Sequence, residues 1–162
     1  GGNMSADQKV RELGLVLPPP LQLPPGVAVP LVMVKVIDKR VIVSGHGPQN
    51  DDGSIAEPLG QVGGDVTLEE GVEAAKRVAL TMMGTLQREL GSLDEIKSWV
   101  KVFGMVNSAP GFTGQTPVIN GFSQTIVEVF GEEVGLAARS AVGMAGLPFN
   151  IPVEVEAELE LK

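Results

Sequence analysis

The stretch Val153-Glu154-Val155-Glu156-Ala157-Glu158-Leu159-Glu160-Leu161 decides the fold, because apolar residues alternate strictly with glutamates along it. A period of two is typical of a β-strand with one apolar face and one acidic face. A shorter strand-like run, residues 139–144, precedes it and is joined to it through Leu147-Pro148 and Pro152. This spacing predicts two neighbouring strands with a proline-rich connection between them.

Two segments nearer the N-terminus have equally clear patterns. Residues 31–37 and 40–44 are rich in β-branched side chains and flank a short turn, which predicts a β-hairpin. Thr67 and Glu70 form the capping box of an amphipathic helix, whose apolar residues recur at helical spacing until Gly91.

The middle of the chain supplies one more strand and one more helix. Residues 96–106 predict a strand that carries the only tryptophan. Thr116 as N-cap and Pro117 as first helical residue predict a helix that ends at Gly131. The order of hairpin, helix, strand, helix and two strands predicts the α+β class, as a two-layer sandwich in which a mixed β-sheet packs against two long helices.

The N-terminal part differs in composition. Residues 1–3 precede Met4 and are interpreted as residues added for expression. Ser5 caps a short helix, and most of the prolines lie in residues 17–30, which favours an extended surface segment. We therefore expect an N-terminal extension over residues 1–29 and one domain over residues 30–162.

Composition excludes several classes of function. The chain of 162 residues has a net charge of −8 and a pI near 4.6, which disfavours binding to nucleic acid. It has no cysteine and one histidine, so a metal site is not expected. No run of residues is apolar enough for a membrane span, and no signal pattern precedes the domain, which predicts a cytoplasmic protein.

Arg139 is the sharpest candidate for a binding residue. A guanidinium is always charged and offers paired donors that fit a carboxylate, so Arg139 is suited to hold a small carboxylic acid. The alternative is a structural salt bridge to one of the terminal glutamates, which spacing alone favours slightly.

Two further features allow more than one interpretation. The glutamates of the last strand form either a solvated face or, if they line a cleft, a place where one carboxylate has a raised pKa. His46 lies between Gly45 and Gly47 and either transfers protons near neutral pH or makes an ordinary hydrogen bond.

Three motifs together resemble the closing signature of the Rid family, also called YjgF or endoribonuclease L-PSP. They are Ala138-Arg139-Ser140-Ala141-Val142, then Leu147-Pro148, then Val153-Glu154-Val155-Glu156-Ala157, in the family's order and spacing. Upstream, Val43-Ser44-Gly45 resembles the family's Ser-Gly turn, and Val118-Ile119-Asn120 resembles the start of its second helix. The resemblance covers residues 30–162.

This resemblance implies a chorismate-mutase-like fold and a homotrimer with sites between subunits. It also implies hydrolysis of reactive 2-imino and enamino acids to 2-oxo acids and ammonia, without metal or cofactor. In that activity Arg139 grips the carboxylate of a small metabolite and Glu154 positions water. The pocket is then lined by Ser44, Gly45, Asn120 and Ala141, with Leu31 and His46 as further candidates.

The chain also departs from the family pattern. It has no tyrosine, whereas many members carry one in the first strand near the place of Leu31. Ala141 replaces a frequent cysteine and Ala137 a usual proline. These changes favour, as the alternative function, a non-catalytic homotrimeric module that binds a small carboxylate in the same cleft.

Overall fold

A computed structural model of the protein describes residues 4–162, so the interpretation of residues 1–3 lies outside the described residues. The helices are α1 (Ala6–Glu12), α2 (Leu68–Leu90) and α3 (Gln115–Gly135). The strands are β1 (Val34–Ile37), β2 (Arg40–His46), β3 (Ile96–Asn107), β4 (Ala138–Met144) and β5 (Val153–Leu161). Short 3-10 turns occupy Leu93–Glu95 and Pro148–Asn150.

The strands form one mixed sheet in the order β1-β2-β5-β3-β4. All neighbouring pairs are antiparallel except β3 and β4, which are parallel. The prediction that β4 and β5 are neighbours is wrong, because β3 lies between them. The physical reason is the crossover through α3, since a strand that returns after a helix pairs in parallel with the strand that preceded it.

The helices α2 and α3 cover one face of the sheet, which confirms the predicted α+β sandwich of two layers. The apolar side chains of β5 enter the core between the layers, and its glutamates lie on the opposite face. Trp99 is buried in this core, with ring centroids 6.1 Å from Phe122 and 5.5 Å from Phe130 in edge-to-face geometry. The face of the sheet that bears the glutamates has no helix on it within residues 4–162.

The predicted ends of the two long helices agree with the structure for α2 but not for α3. For α2, the capping box of Thr67 and Glu70 is confirmed, and Gly91 ends the helix in the left-handed conformation at φ 84°. For α3, the predicted N-cap at Thr116 is wrong, because the helix begins at Gln115 after Gly114, which has no side chain to cap it. Gly131, at φ 79°, interrupts α3, but a last helical turn continues beyond it. None of the helices in residues 4–162 is both long and apolar enough to cross a membrane.

The N-terminal residues pack onto the domain. Ser5 caps α1 as predicted, and the buried side chains of Ala6 and Val10 belong to the main core. The proline-rich segment, residues 17–30, runs along the surface and accepts a hydrogen bond of 2.8 Å at the Pro19 carbonyl from Gln49 Nε2. The boundary between residues 29 and 30 stays a prediction.

Candidate functional site

A β-bulge in β2 shapes the first half of the candidate site. Val43 and His46 are both buried, although they stand three positions apart in a strand, because the register against β5 shifts by one residue between them. A bulge of this kind re-aims the side chains that follow it. It leaves Ser44 and Gly45 without assigned partners on β5, and Gly45 lies against Glu154 at the start of that strand.

Gly45 makes room for the carboxylate of Glu154. A Cβ at Gly45 would lie 2.9 Å from Cδ and 3.2 Å from Cγ of Glu154, closer than two carbon atoms can pack. Partial burial raises the pKa of Glu154, and the charge of Glu156 raises it further. A carboxyl group with a raised pKa exchanges its proton more readily near neutral pH, which suits acid-base chemistry.

Ser44 is fixed by the segment that enters β1. Its backbone N–H donates to the Met33 carbonyl at 2.9 Å, and its hydroxyl donates to the Val32 carbonyl at 2.7 Å. Leu31 belongs to the same segment and is 54% exposed. The structure therefore brings together three predicted site residues, which we call the glutamate group (Ser44, Gly45 and Glu154), with Leu31 on the adjoining segment.

Arg139 lies on the other face of the sheet. Its Nη1 donates to Ser123 Oγ at 3.1 Å, and its Nη2 approaches the Thr116 carbonyl at 3.5 Å, so its side chain reaches α3. The alternative interpretation, in which Arg139 forms a salt bridge to a terminal glutamate, is wrong. The ion pairs within residues 4–162 join Arg40 to Glu158 and Lys97 to Glu160. Partial burial lowers the pKa of the Arg139 guanidinium, which nevertheless stays charged in water.

Asn120 and Ala141 lie close to Arg139. Asn120 stands one turn after Thr116 and one turn before Ser123, so all three share the stripe of α3 that Arg139 contacts. Ala141 lies two residues after Arg139 on β4 and packs against the core on the same face. These residues form the arginine group (Asn120, Arg139 and Ala141), at the edge strand of the sheet.

The arginine group and the glutamate group do not meet within one chain. Arg139 reaches towards α3, whereas Glu154 lies on the face that carries no helix. The strand β3 lies between β4 and β5, so β4 and β5 are about 9 to 10 Å apart across the sheet. A groove of about 900 Å³ between α1 and the end of α3 contains neither group. A small substrate therefore cannot contact both groups of the same chain.

The side chain of His46 lies in the core, outside both groups. It is 3% exposed, and its Nε2 lies 2.9 Å from Thr85 Oγ1 on α2, so it does not line the face that bears Glu154. Sequence reasoning missed Thr85, and it also missed Ser123 as the partner of Arg139. The spacing of Ser123 three residues after Asn120 is the signal that could have identified it.

Metal ligands are not grouped in the part of the chain that the structure describes. Within residues 4–162, no three histidine, aspartate or glutamate side chains converge in a way that could hold an ion. The chain also lacks cysteine. The two groups themselves contain the guanidinium of Arg139, the carboxylate of Glu154, the hydroxyl of Ser44 and the amide of Asn120.

Comparison with known proteins adds three relatives. Protein TCP17 of Trypanosoma cruzi is 50% identical over 119 residues, which are 74% of this chain and 73% of TCP17. The crystal structure of Atu1372 from Agrobacterium tumefaciens, whose function is unknown, has 37% identity and a TM-score of 0.84, over 97% of this chain and 92% of that one. A Shewanella oneidensis structure, provisionally named an endoribonuclease, has 25% identity and a TM-score of 0.85, over 98% and 100%. No family model matches the sequence.

Proposed function

The chain belongs to the Rid family, also called YjgF or endoribonuclease L-PSP, and we propose that it hydrolyses reactive 2-imino and enamino acids to 2-oxo acids and ammonia. The observation that carries this proposal is the charged, half-buried guanidinium of Arg139, which has no carboxylate partner within residues 4–162. Its contacts to α3 leave donors free, and a paired-donor geometry fits the carboxylate of such a substrate.

Glu154 supplies the acid-base chemistry in this proposal. Water adds to the electrophilic carbon of the C=N bond while the carboxylate of Glu154 takes one proton from that water. Glu154 returns this proton to the nitrogen, which gives a tetrahedral intermediate that carries a hydroxyl and an amino group. Glu154 then takes the hydroxyl proton and passes it to the nitrogen as the C=O bond forms, the C–N bond breaks and ammonia leaves. The raised pKa of Glu154 supports the role, because the same group must first accept a proton and then return it to the departing ammonia.

The two groups require a second copy of the chain. Arg139 and Glu154 lie on opposite faces of one sheet, so one substrate can reach both only if they come from different subunits. Closed rings of identical subunits repeat such a contact at every interface. We therefore propose that the arginine group of one subunit faces the glutamate group of the next, and we take three as the number of subunits because the resemblance to the Rid family implies a homotrimer.

Ammonia release from an imine made from an amino acid tests the reaction. Arg139→Lys keeps the charge but loses the paired donors, which removes about 1.5 to 3 kcal/mol of binding and raises KM about 10- to 150-fold. Arg11→Lys, on the exposed side of α1, is the matched control and should leave KM unchanged. Full activity in Arg139→Ala would refute the assignment.

Mixed oligomers test the shared site. Arg139→Ala and Glu154→Gln are each expected to be inactive alone. Co-expressed in equal amounts, they form random trimers in which about one quarter of the sites have both intact residues, so about one quarter of the wild-type activity returns. A site contained within one chain would regain nothing. Sedimentation of the wild type as a monomer would contradict the trimer as well.

A second function is favoured by the changed lining of the pocket. With Ala141 and no tyrosine, the cleft lacks side chains that many relatives carry, which fits a module that binds a small carboxylate without turning it over. Such a ligand raises the melting temperature because it binds only the folded state. Stabilisation by 2-oxo acids together with an absence of ammonia release would support the binding module over the enzyme.

Ribonuclease activity is disfavoured by the net charge of −8, because affinity for a phosphate backbone is carried by lysine and arginine.

A further inference from the structure

His46 is the only histidine of the chain, and both of its ring nitrogens are hydrogen-bonded between β2 and α2. Its Nδ1 lies 2.7 Å from the Ser44 carbonyl, and its Nε2 lies 2.9 Å from Thr85 Oγ1. The imidazole has no part in the chemistry proposed above. One of its partners, however, is the backbone of the glutamate group.

The direction of these hydrogen bonds follows from their chemistry. A carbonyl oxygen only accepts, so His46 Nδ1 carries the proton and donates to Ser44. Burial lowers the pKa of His46 to about 4, with a smaller contribution from the charge of Arg88, so the ring is neutral near pH 7. In a neutral ring the other nitrogen accepts, and Thr85 therefore donates its hydroxyl to Nε2.

Arg88 connects Thr85 to the proline-rich segment. Its Nη2 donates to Thr85 Oγ1 at 3.3 Å, and its Nη1 donates to the Pro18 carbonyl at 3.0 Å. A Cβ at Gly84 would lie 2.8 Å from the Pro18 carbonyl, so the segment lies directly on α2. One continuous hydrogen-bonded series therefore runs from the segment to the bulge through Pro18, Arg88, Thr85, His46 and Ser44.

We propose that His46 is a positioning residue, which fixes the Ser44 carbonyl and thereby the bulge that holds Gly45 against Glu154. Residues of a bulge lack a complete set of ladder bonds, so a side-chain donor has a large share in setting their conformation. Arg88 stabilises the orientation of the series and links it to the N-terminal segment. This inference rests on the proposed function, because its catalytic consequence passes through Glu154.

Thr85→Val tests the series with a side chain of the same shape. It removes the hydroxyl that His46 requires, so kcat should fall about 10-fold as the bulge loosens. KM should stay within about twofold, because in the proposed assembly the substrate carboxylate is held by Arg139 of the partner subunit, which the substitution does not touch. Thr85→Ser keeps the hydroxyl and should restore kcat. Thr81→Val is the matched control, since this buried hydroxyl donates to the Arg77 carbonyl at 2.9 Å.

Hydrogen exchange provides a readout that does not need turnover. The Ser44 amide donates to the Met33 carbonyl at 2.9 Å, and its exchange should accelerate in Thr85→Val while the amides of β3 keep their wild-type rates. Unchanged exchange at Ser44 would overturn the inference, and so would an equal acceleration throughout β3. If the wild type releases no ammonia, the proposed function fails, and the exchange at Ser44 alone decides the role of His46.

Discussion

Gly45→Ala tests whether activity depends on the position of the Glu154 carboxylate, because the substitution should move this carboxylate without destabilising the fold. The backbone at Gly45 is not in the left-handed region, so alanine introduces no backbone strain. Its Cβ would lie 2.9 Å from Glu154 Cδ, whereas carbon atoms pack at about 3.5 to 4.0 Å. The carboxyl group must therefore move outwards by roughly 0.6 to 1.1 Å. Displacement of a catalytic group by about 1 Å lowers the rate by up to about 100-fold.

Steady-state ammonia release and thermal unfolding measure the two effects. We expect kcat to fall about 10- to 100-fold in Gly45→Ala, with a melting temperature close to that of the wild type because the flexible Glu154 side chain yields towards solvent. Gly47→Ala is the control, since its Cβ would meet only Ile151 Cδ1, at 2.8 Å. Wild-type kcat in Gly45→Ala, with Glu154→Gln inactive, would refute the placement of the carboxylate.

Three further predictions concern stability. The folded-state pKa of Glu154 is raised, so Glu154 contributes favourably to the free energy of unfolding below the unfolded pKa of glutamate, and this contribution is lost as pH rises through the folded pKa. Glu154→Gln should therefore melt at a higher temperature than the wild type at pH 7, and the difference should disappear in acid. Thr67→Ala removes the cap of α2 and should cost about 1 kcal/mol in urea unfolding, against no change for the exposed Thr113→Ala. Phe122→Ala removes a fully buried ring beside Trp99 and should cost about 3 to 5 kcal/mol in the same assay.

Local patterns predicted the elements of the fold, because each depends on residues close in sequence. The alternation in residues 153–161 identified β5, and Thr67 with Glu70 identified the start of α2. The neighbour of β4 could not be read from the connection to β5. It is set by the crossover through α3, which is a property of the whole β3-α3-β4 unit.

The residues of the candidate site were proposed from motifs, and the structure adds their arrangement, which the motifs did not predict. The motifs selected Arg139 and Glu154, yet nothing in the spacing placed them on opposite faces. The bulge in β2 was equally hidden, since one extra residue leaves the sequence pattern almost unchanged while it turns His46 into the core. A histidine between two glycines gives no sign of a threonine partner 39 residues away on α2.

The acidic row of β5 is divided into two halves by its neighbours. Glu158 and Glu160 form ion pairs with Arg40 at 3.8 Å and Lys97 at 3.7 Å. Within residues 4–162, neither Glu154 nor Glu156 has such a partner, and the charge of Glu156 raises the pKa of Glu154.

Assembly would act on these two halves differently. A second subunit that covers the face bearing the glutamates removes water from the unpaired half, and desolvation raises the pKa of a carboxyl group further. In the proposed assembly, the arginine group of the partner subunit would act in the opposite direction, because a nearby cation favours the ionised form. Proton transfer by Glu154 is therefore expected to depend on assembly itself, so that activity is lost on dilution to monomers even where each chain remains folded.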